Sequence, residues 1–190
     1  MSTERPAAPR VRAFLATSLD GFLAGERDDL SWLPQPTDDA SGHGDGGFGA
    51  FLAGIGAMLM GRRTYDVVSG FEGPWPYGDL PVLVATHRPL RAVVPTVRPV
   101  AGTVAELLAA ARAAAGDRDV YVDGGVLVRA ALDAGLLDEL TVTIVPVILG
   151  GGIPLGSGAV HRHALVLERH EALAGGMMQL TYRPTSSPRG

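Results

Sequence analysis

Short apolar runs alternate with helix-patterned segments along most of the chain and then give way to strands alone, and this order restricts the fold more than any other feature. Residues 11–17, 57–60, 81–85, 97–100, 120–122 and 139–149 read as strands. Between them, Phe48, Phe51, Leu52 and Ile55 recur at helical spacing, which predicts a helix over 48–55, and residues 62–68 and 126–134 predict two more. Thr103 and Glu106 form a capping box ahead of the stripe Val104, Leu107, Leu108 and Ala111, with Gly116 as a left-handed stop. Gly135 ends the 126–134 helix in the same way. Segments 164–169 and 177–182 form a hairpin around 174–176. Helical crossovers join parallel strands, whereas hairpins join antiparallel ones. The expected fold is therefore α/β, with a mostly parallel central sheet flanked by helices and an antiparallel C-terminal edge.

The 190 residues suit one domain, placed at 10–184, with flexible tails at 1–9 and 185–190 rich in Pro, Ser, Arg and Gly. Without cysteine the chain can form neither disulfides nor thiolate metal sites. The basic residues are all arginine, and the net charge of −4 is mixed along the chain, so no basic stripe points to nucleic acid. The longest apolar runs, such as 142–149, are too short to span a bilayer and contain Pro146. No leader-like apolar region opens the chain, so the expected location is cytoplasmic, with no membrane partner. Residues 20–47, with Trp32, Pro34, Pro36 and many Asp and Gly, predict a long loop, and a structureless stretch of that length is functional or mobile.

Four places carry residues suited to chemistry. Asp123-Gly124-Gly125 joins a strand to a helix, where free N–H groups and the helix dipole favour an anion such as pyrophosphate, although a plain tight turn is the simpler reading of a lone Gly-Gly. Met60-Gly61-Arg62-Arg63-Thr64-Tyr65 sits at another strand-to-helix switch. Two cations at a helix start are unfavourable unless an anion joins them, although a solvated arginine pair is the simpler alternative. Thr86-His87-Arg88 follows a third strand, and ligands of α/β sheets gather at the carboxyl ends of strands. Ser18-Leu19-Asp20-Gly21 closes the first strand, with Trp32 and Asp45 further along the loop. Asp20 or Asp45 could orient a substrate or relay a proton if partly buried, or simply form an Asp-Gly turn and a loop aspartate.

Two patterns point nowhere. Residues 42–47 satisfy G-x-G-x-x-G spacing but follow a polar stretch rather than a strand. His161 and His163 are two apart and on a strand would share a face, yet no carboxylate or third ligand lies near them in sequence, so they read as surface histidines and no metal is expected.

The motifs S-L-D-G-F-L-A (18–24), M-G-R-R-T-Y (60–65), W-P-Y (75–77), D-G-G (123–125), G-L-L-D-E-L (135–140) and P-V-I-L-G-G-G (146–152) occur in an order that resembles the RibD C-terminal domain family. That family is the reductase half of the riboflavin-biosynthesis deaminase–reductase, within the dihydrofolate-reductase-like fold, and the match spans about 11–183. The resemblance implies NADPH across the carboxyl ends of the sheet. Gly61, Arg62, Arg63 and Thr64 match its 2′-phosphate and pyrophosphate segment, and Thr86, His87 and Arg88 the loop beside the adenine ribose phosphate. Gly124, Gly125, Val126 and Leu127 match the diphosphate-binding helix start, and Asp20 and Gly21 the loop beside nicotinamide and substrate. Asp45 falls near the substrate-binding carboxylate of dihydrofolate reductases.

Asp20 and Asp45 are thus the expected catalytic residues, and Asp20, Gly21 and Trp32 the expected substrate contacts. The expected function is hydride transfer from NADPH to a small pyrimidine- or pterin-like substrate by a stand-alone domain that forms a homodimer. The rivals are a dihydrofolate or pterin reductase, disfavoured by the order Trp32-Leu33-Pro34 where true dihydrofolate reductases have Leu-Pro-Trp, and a non-catalytic NADP-binding protein.

Overall fold

The structure, a computed structural model, describes residues 9–34 and 45–185. Six parallel neighbours form the centre of one sheet: β1 (Val11–Ser18), β3 (Ile55–Gly61), β4 (Val82–Ala85), β5 (Val97–Val100), β6 (Asp119–Asp123) and β7 (Glu139–Val145). Antiparallel β10 (Met178–Pro184) joins β7, and β9 (Leu165–Ala172) joins β10, giving the order β5-β4-β3-β6-β1-β7-β10-β9. A separate small pair is made by β2 (Phe22–Ala24) and β8 (Ile153–Pro154). The helices are α1 (Phe48–Ala53), α2 (Arg62–Val68), α3 (Val104–Ala115) and α4 (Gly125–Asp133).

Alternation along each strand divides the core between two faces. On one face Val11, Ala13, Leu15, Leu59 and Val122 pack under Leu107 and Leu108 of α3 and Leu127 and Val128 of α4. On the other, Met58, Met60, Val82, Val84 and Tyr121 pack under Phe51 of α1 and Tyr65 of α2. Each large side chain fully removed from water here stabilises the fold by roughly 1.5–3 kcal/mol relative to exposure. α3 starts with the expected reciprocal cap, Thr103 Oγ1 accepting from the Glu106 N–H while Glu106 Oε2 accepts from the Thr103 N–H.

Parallel pairing matters most for function. Gly61 lies opposite Ala85, Met60 opposite Asp123, and Ser18 opposite Val145, so the carboxyl ends of β4, β3, β6, β1 and β7 form one continuous edge.

Three expectations need correction. The helix predicted over 48–55 stops at Ala53, and Ile55 instead opens β3 as a fully buried strand residue. The strand predicted over 139–149 ends at Val145, because Pro146 has no N–H for the ladder. The loop predicted over 20–47 contains β2, whose partner β8 lies about 130 residues downstream; a three-residue apolar run carries too little periodicity to betray it.

Candidate active site

Along the carboxyl edge lies a cavity of about 560 Å³, within the size range of small-molecule and cofactor sites. Gly61, Arg62, Arg63 and Thr64, at the β3–α2 turn, form one wall. Gly124, Gly125, Val126 and Leu127, at the β6–α4 turn, form the next. These two predicted turns therefore meet at one cleft. Gly124 is required by that meeting: its φ is +95°, and a Cβ there would lie 2.7 Å from Thr64 Oγ1. At Gly125 an added Cβ would lie 2.7 Å from Leu23 and 2.8 Å from Arg129.

The third turn is adjacent but largely outside. Ala85 lines the cavity, whereas Thr86, His87 and Arg88 do not, and His87 is exposed. Thr86 Oγ1 instead accepts from the Arg88 N–H at 3.0 Å. The turns are tied together through α2: Arg62 donates to Asp66 at 2.7 Å and to the Pro89 carbonyl at 2.9 Å, and Arg88 lies 3.7 Å from Asp66. Arg63 donates across the cleft to Asp28 at 2.6 Å.

The carboxylates expected to do chemistry have other partners. Asp20 accepts from the Ser18 hydroxyl at 2.6 Å and from the Leu149 and Gly150 N–H groups at 3.1 and 2.8 Å. These bonds, led by that of Ser18, lower its pKa, so it remains an ionised anchor joining the loops after β1 and β7. Asp45 accepts from the N–H groups of Gly47 and Gly49 and so closes the start of α1. Neither is among the residues lining the cavity, and nor are Gly21 or Trp32. Trp32 donates to the Asp29 carbonyl at 3.1 Å, and its neighbours Leu30 and Leu33 line the cleft instead. Residues 42–44 lie outside the described residues. The fold brings His163 a carboxylate distant in sequence: Asp133, thirty residues earlier, is 2.7 Å away and also accepts from the Val160 and His161 N–H groups.

Asp123 is the residue that sequence reasoning passed over. It lines the cavity at the end of β6, and burial pushes its pKa from the ordinary 3.8 up to about 6, against the opposing hydrogen bond from the Gly124 N–H. Its charge in turn raises the pKa of Tyr77 and Tyr121, beyond the larger effect of their own burial. Tyr121 donates to the Phe14 carbonyl at 2.9 Å, which places the Asp123 strand end beside Phe14 of β1. A half-protonated carboxyl in a cleft can donate or accept a proton near neutral pH. The signal was present in the D-G-G motif, but the glycines, rather than the aspartate, carried the reading.

Residues 9–178 match the family model described as RibD C-terminal domain. A candidate riboflavin biosynthesis protein from Shewanella sp. PV-4 is 31% identical and superposes with a TM-score of 0.80, covering 93% of this chain and 99% of that one. A pyrimidine reductase-like protein from Corynebacterium diphtheriae (19% identity, TM-score 0.65, 94% and 93% covered) shares the fold. So does a dihydrofolate reductase from Enterococcus faecalis solved with NADP(H) (16% identity, TM-score 0.61, 93% and 97% covered). Two independent similarities, of sequence motif and of whole-chain architecture, thus agree, and the chain belongs to the RibD C-terminal domain family.

Proposed function

We propose that this protein is an NADPH-dependent reductase that passes a hydride to a pyrimidine- or pterin-like small molecule. The observation that carries this reading is the meeting of the β3–α2 and β6–α4 turns around one cleft that also holds a raised-pKa carboxyl. NADPH, when bound, supplies the hydride. Gly61, Arg62, Arg63 and Thr64 offer guanidinium, hydroxyl and backbone groups for its phosphates, and the first turn of α4 offers N–H groups without intrahelical partners. Gly124, with a φ of +95° and Thr64 Oγ1 2.7 Å from an added Cβ, disfavours any side chain, and that keeps the α4 start open to a diphosphate. Asp123 holds the proton that accompanies reduction of a C=N or C=O bond, giving it to the nitrogen or oxygen as the hydride reaches the carbon. The Asp20 anchor holds the loops after β1 and β7 together beside this edge.

Titrating the purified protein with NADPH while following nicotinamide and tryptophan fluorescence tests the reading. Saturation at low-micromolar concentration, about tenfold tighter than for NADH, is expected, because Arg62 and Arg63 favour the additional phosphate. No saturation by tens of micromolar (~) NADPH would overturn it.

A further inference from the structure

We infer that Asp28 stands in for a cofactor phosphate on Arg63, so that cofactor binding exchanges this ion pair and releases residues 26–33 from the cleft. The inference rests on the NADPH reading above and adds to it a residue that sets cofactor affinity from the opposite wall. The two arginines of the β3–α2 turn are held differently. Arg62 is fixed on its own side, by Asp66 one turn along α2 at 2.7 Å and by the Pro89 carbonyl at 2.9 Å. Arg63 donates at 2.6 Å to Asp28, which reaches it across the cleft from the segment after β2. Both partners line the cavity. The Arg63 side chain is 65% exposed and that of Asp28 29%, so the pair is open to an incoming anion.

Residues 26–33 are otherwise closed on themselves. The Asp29 carbonyl accepts from the Gly25 N–H at 2.8 Å and from Trp32 Nε1 at 3.1 Å. Asp29 Oδ1 accepts from the Ser31 N–H at 3.0 Å, and the Leu33 N–H donates to the Leu30 carbonyl at 3.0 Å. Among the described residues, Asp28–Arg63 is the one hydrogen bond that fastens 26–33 to any residue outside 25–33. The remaining hold is apolar, through Leu30 and Leu33 in the cavity wall. The backbone at the contact is strained: Arg27 and Asp28 both lie in the left-handed region, at φ +57° and +64°. Such a conformation persists where surrounding contacts enforce it, and the ion pair is the contact at this point. A guanidinium can touch two anions, but a phosphate and a carboxylate held against one cation repel each other. The phosphate carries the larger charge and keeps the place. Asp28 then leaves, the strained turn relaxes, and the wall bearing Leu30 and Leu33 loses its polar fastening. By linkage, Asp28 weakens the cofactor that must displace it.

The test titrates NADP into the full-length protein by calorimetry and follows Trp32, which rides on the segment, by fluorine NMR of protein carrying 5-fluorotryptophan. Trp75, packed against Tyr65 and Tyr77, is the internal reference. Asp28→Asn removes the charge while keeping a residue that tolerates left-handed backbone. It is expected to tighten NADP about threefold or more, and NAD by less. The gain should vanish in an Arg63→Gln background. Glu26→Gln, which removes an equal charge from the same segment, should not reproduce it. Without cofactor, Asp28→Asn should move the Trp32 resonance towards its position in wild-type protein saturated with NADP, with that of Trp75 in place. The inference is overturned, and the cofactor reading left standing, if NADP binds but Asp28→Asn fails to tighten it. A gain that survives Arg63→Gln or is matched by Glu26→Gln overturns it equally, as does a Trp32 resonance that saturating NADP leaves unmoved. NADP that binds neither wild type nor Asp28→Asn sinks the cofactor reading itself and the inference with it.

Discussion

Two aspartates at strand ends illustrate how far a residue's neighbours decide its chemistry. Asp20 accepts from three donors at the surface and stays ionised, whereas Asp123 has lost water and gained few donors, so its proton is held more tightly in the folded protein than in the unfolded chain. The sign follows from linkage. For Asp123 the folded pKa of about 6 exceeds the unfolded 3.8, so its carboxyl costs nothing at low pH and destabilises progressively as pH rises from about 4 through about 6. The full cost above that range is roughly 3 kcal/mol. Asp123→Asn should therefore raise stability toward urea at pH 8 by up to roughly 3 kcal/mol, with the gain nearly gone at pH 4. The same variant should lose about 10²–10⁴-fold in turnover of any accepted substrate, together with the rise in wild-type rate as pH falls through about 6. A variant that is more active at pH 7, or equally stable at both pH values, would rule this role out. For Asp20, whose pKa is lowered, the support it gives is present above pH 3.8 and lost in acid. Asp20→Ala should accelerate amide exchange at Leu149 and Gly150 while leaving exchange in β6 unchanged, and unaltered protection at both amides would refute the anchor. Sequence could flag both residues, since each precedes glycine at a strand end. It could not rank them, because the burial that sets Asp123 apart comes from the fold as a whole.

At the scale of elements, legibility tracked local signals. α2 and β5 lie where the sequence reading put them, and the α3 capping box formed as expected, because glycine, Thr-x-x-Glu and apolar spacing all act over a few residues. Elements defined by distant partners were not legible, and β2 is the clearest case, existing only because β8 pairs with it. The same holds for Gly124. Its neighbours suggest space for a ligand, yet the close approach it allows is to Thr64 of another turn. Gly124→Ala should thus suffer twice, from a φ of +95° and from the Thr64 hydroxyl, with a combined loss of roughly 2–4 kcal/mol. Combining it with Thr64→Ala removes the second source and leaves the first. A double-mutant cycle by denaturant unfolding should return a coupling of about 0.5–2 kcal/mol in favour of the pair. Simple additivity would show that the two turns do not press on each other.

Across the whole molecule, the parallel register expected from strand–helix alternation sets the strand carboxyl ends along one edge, but the sheet continues past the helices that cover it. α3 and α4 pack on β3 and β6, and the face they cover runs on through Val142 of β7 to its partner Leu180 of β10. A register shift between Thr181 and Tyr182 then sets Leu167 opposite Tyr182 and Leu165 opposite Pro184, so two leucines of β9 extend that apolar face. Leu165, Leu167 and Met178 are 38%, 48% and 38% exposed there. Apolar side chains on a long edge strand invite association, and a monomer would pay for them in solubility. We expect a second copy of the chain to cover this face, which lies on β9 and β10 rather than on the strand ends that hold the cleft. Sedimentation equilibrium at tens of micromolar (~) should then give twice the 19.7 kDa chain mass. Leu165→Glu with Leu167→Glu should return the mass to that of one chain while NADPH still saturates the cleft, because the substitutions sit on the far edge of the sheet. A wild-type protein that remains a single chain at that concentration removes the dimer and leaves the face unexplained, whereas a doubly substituted protein that stays paired moves the interface to another surface.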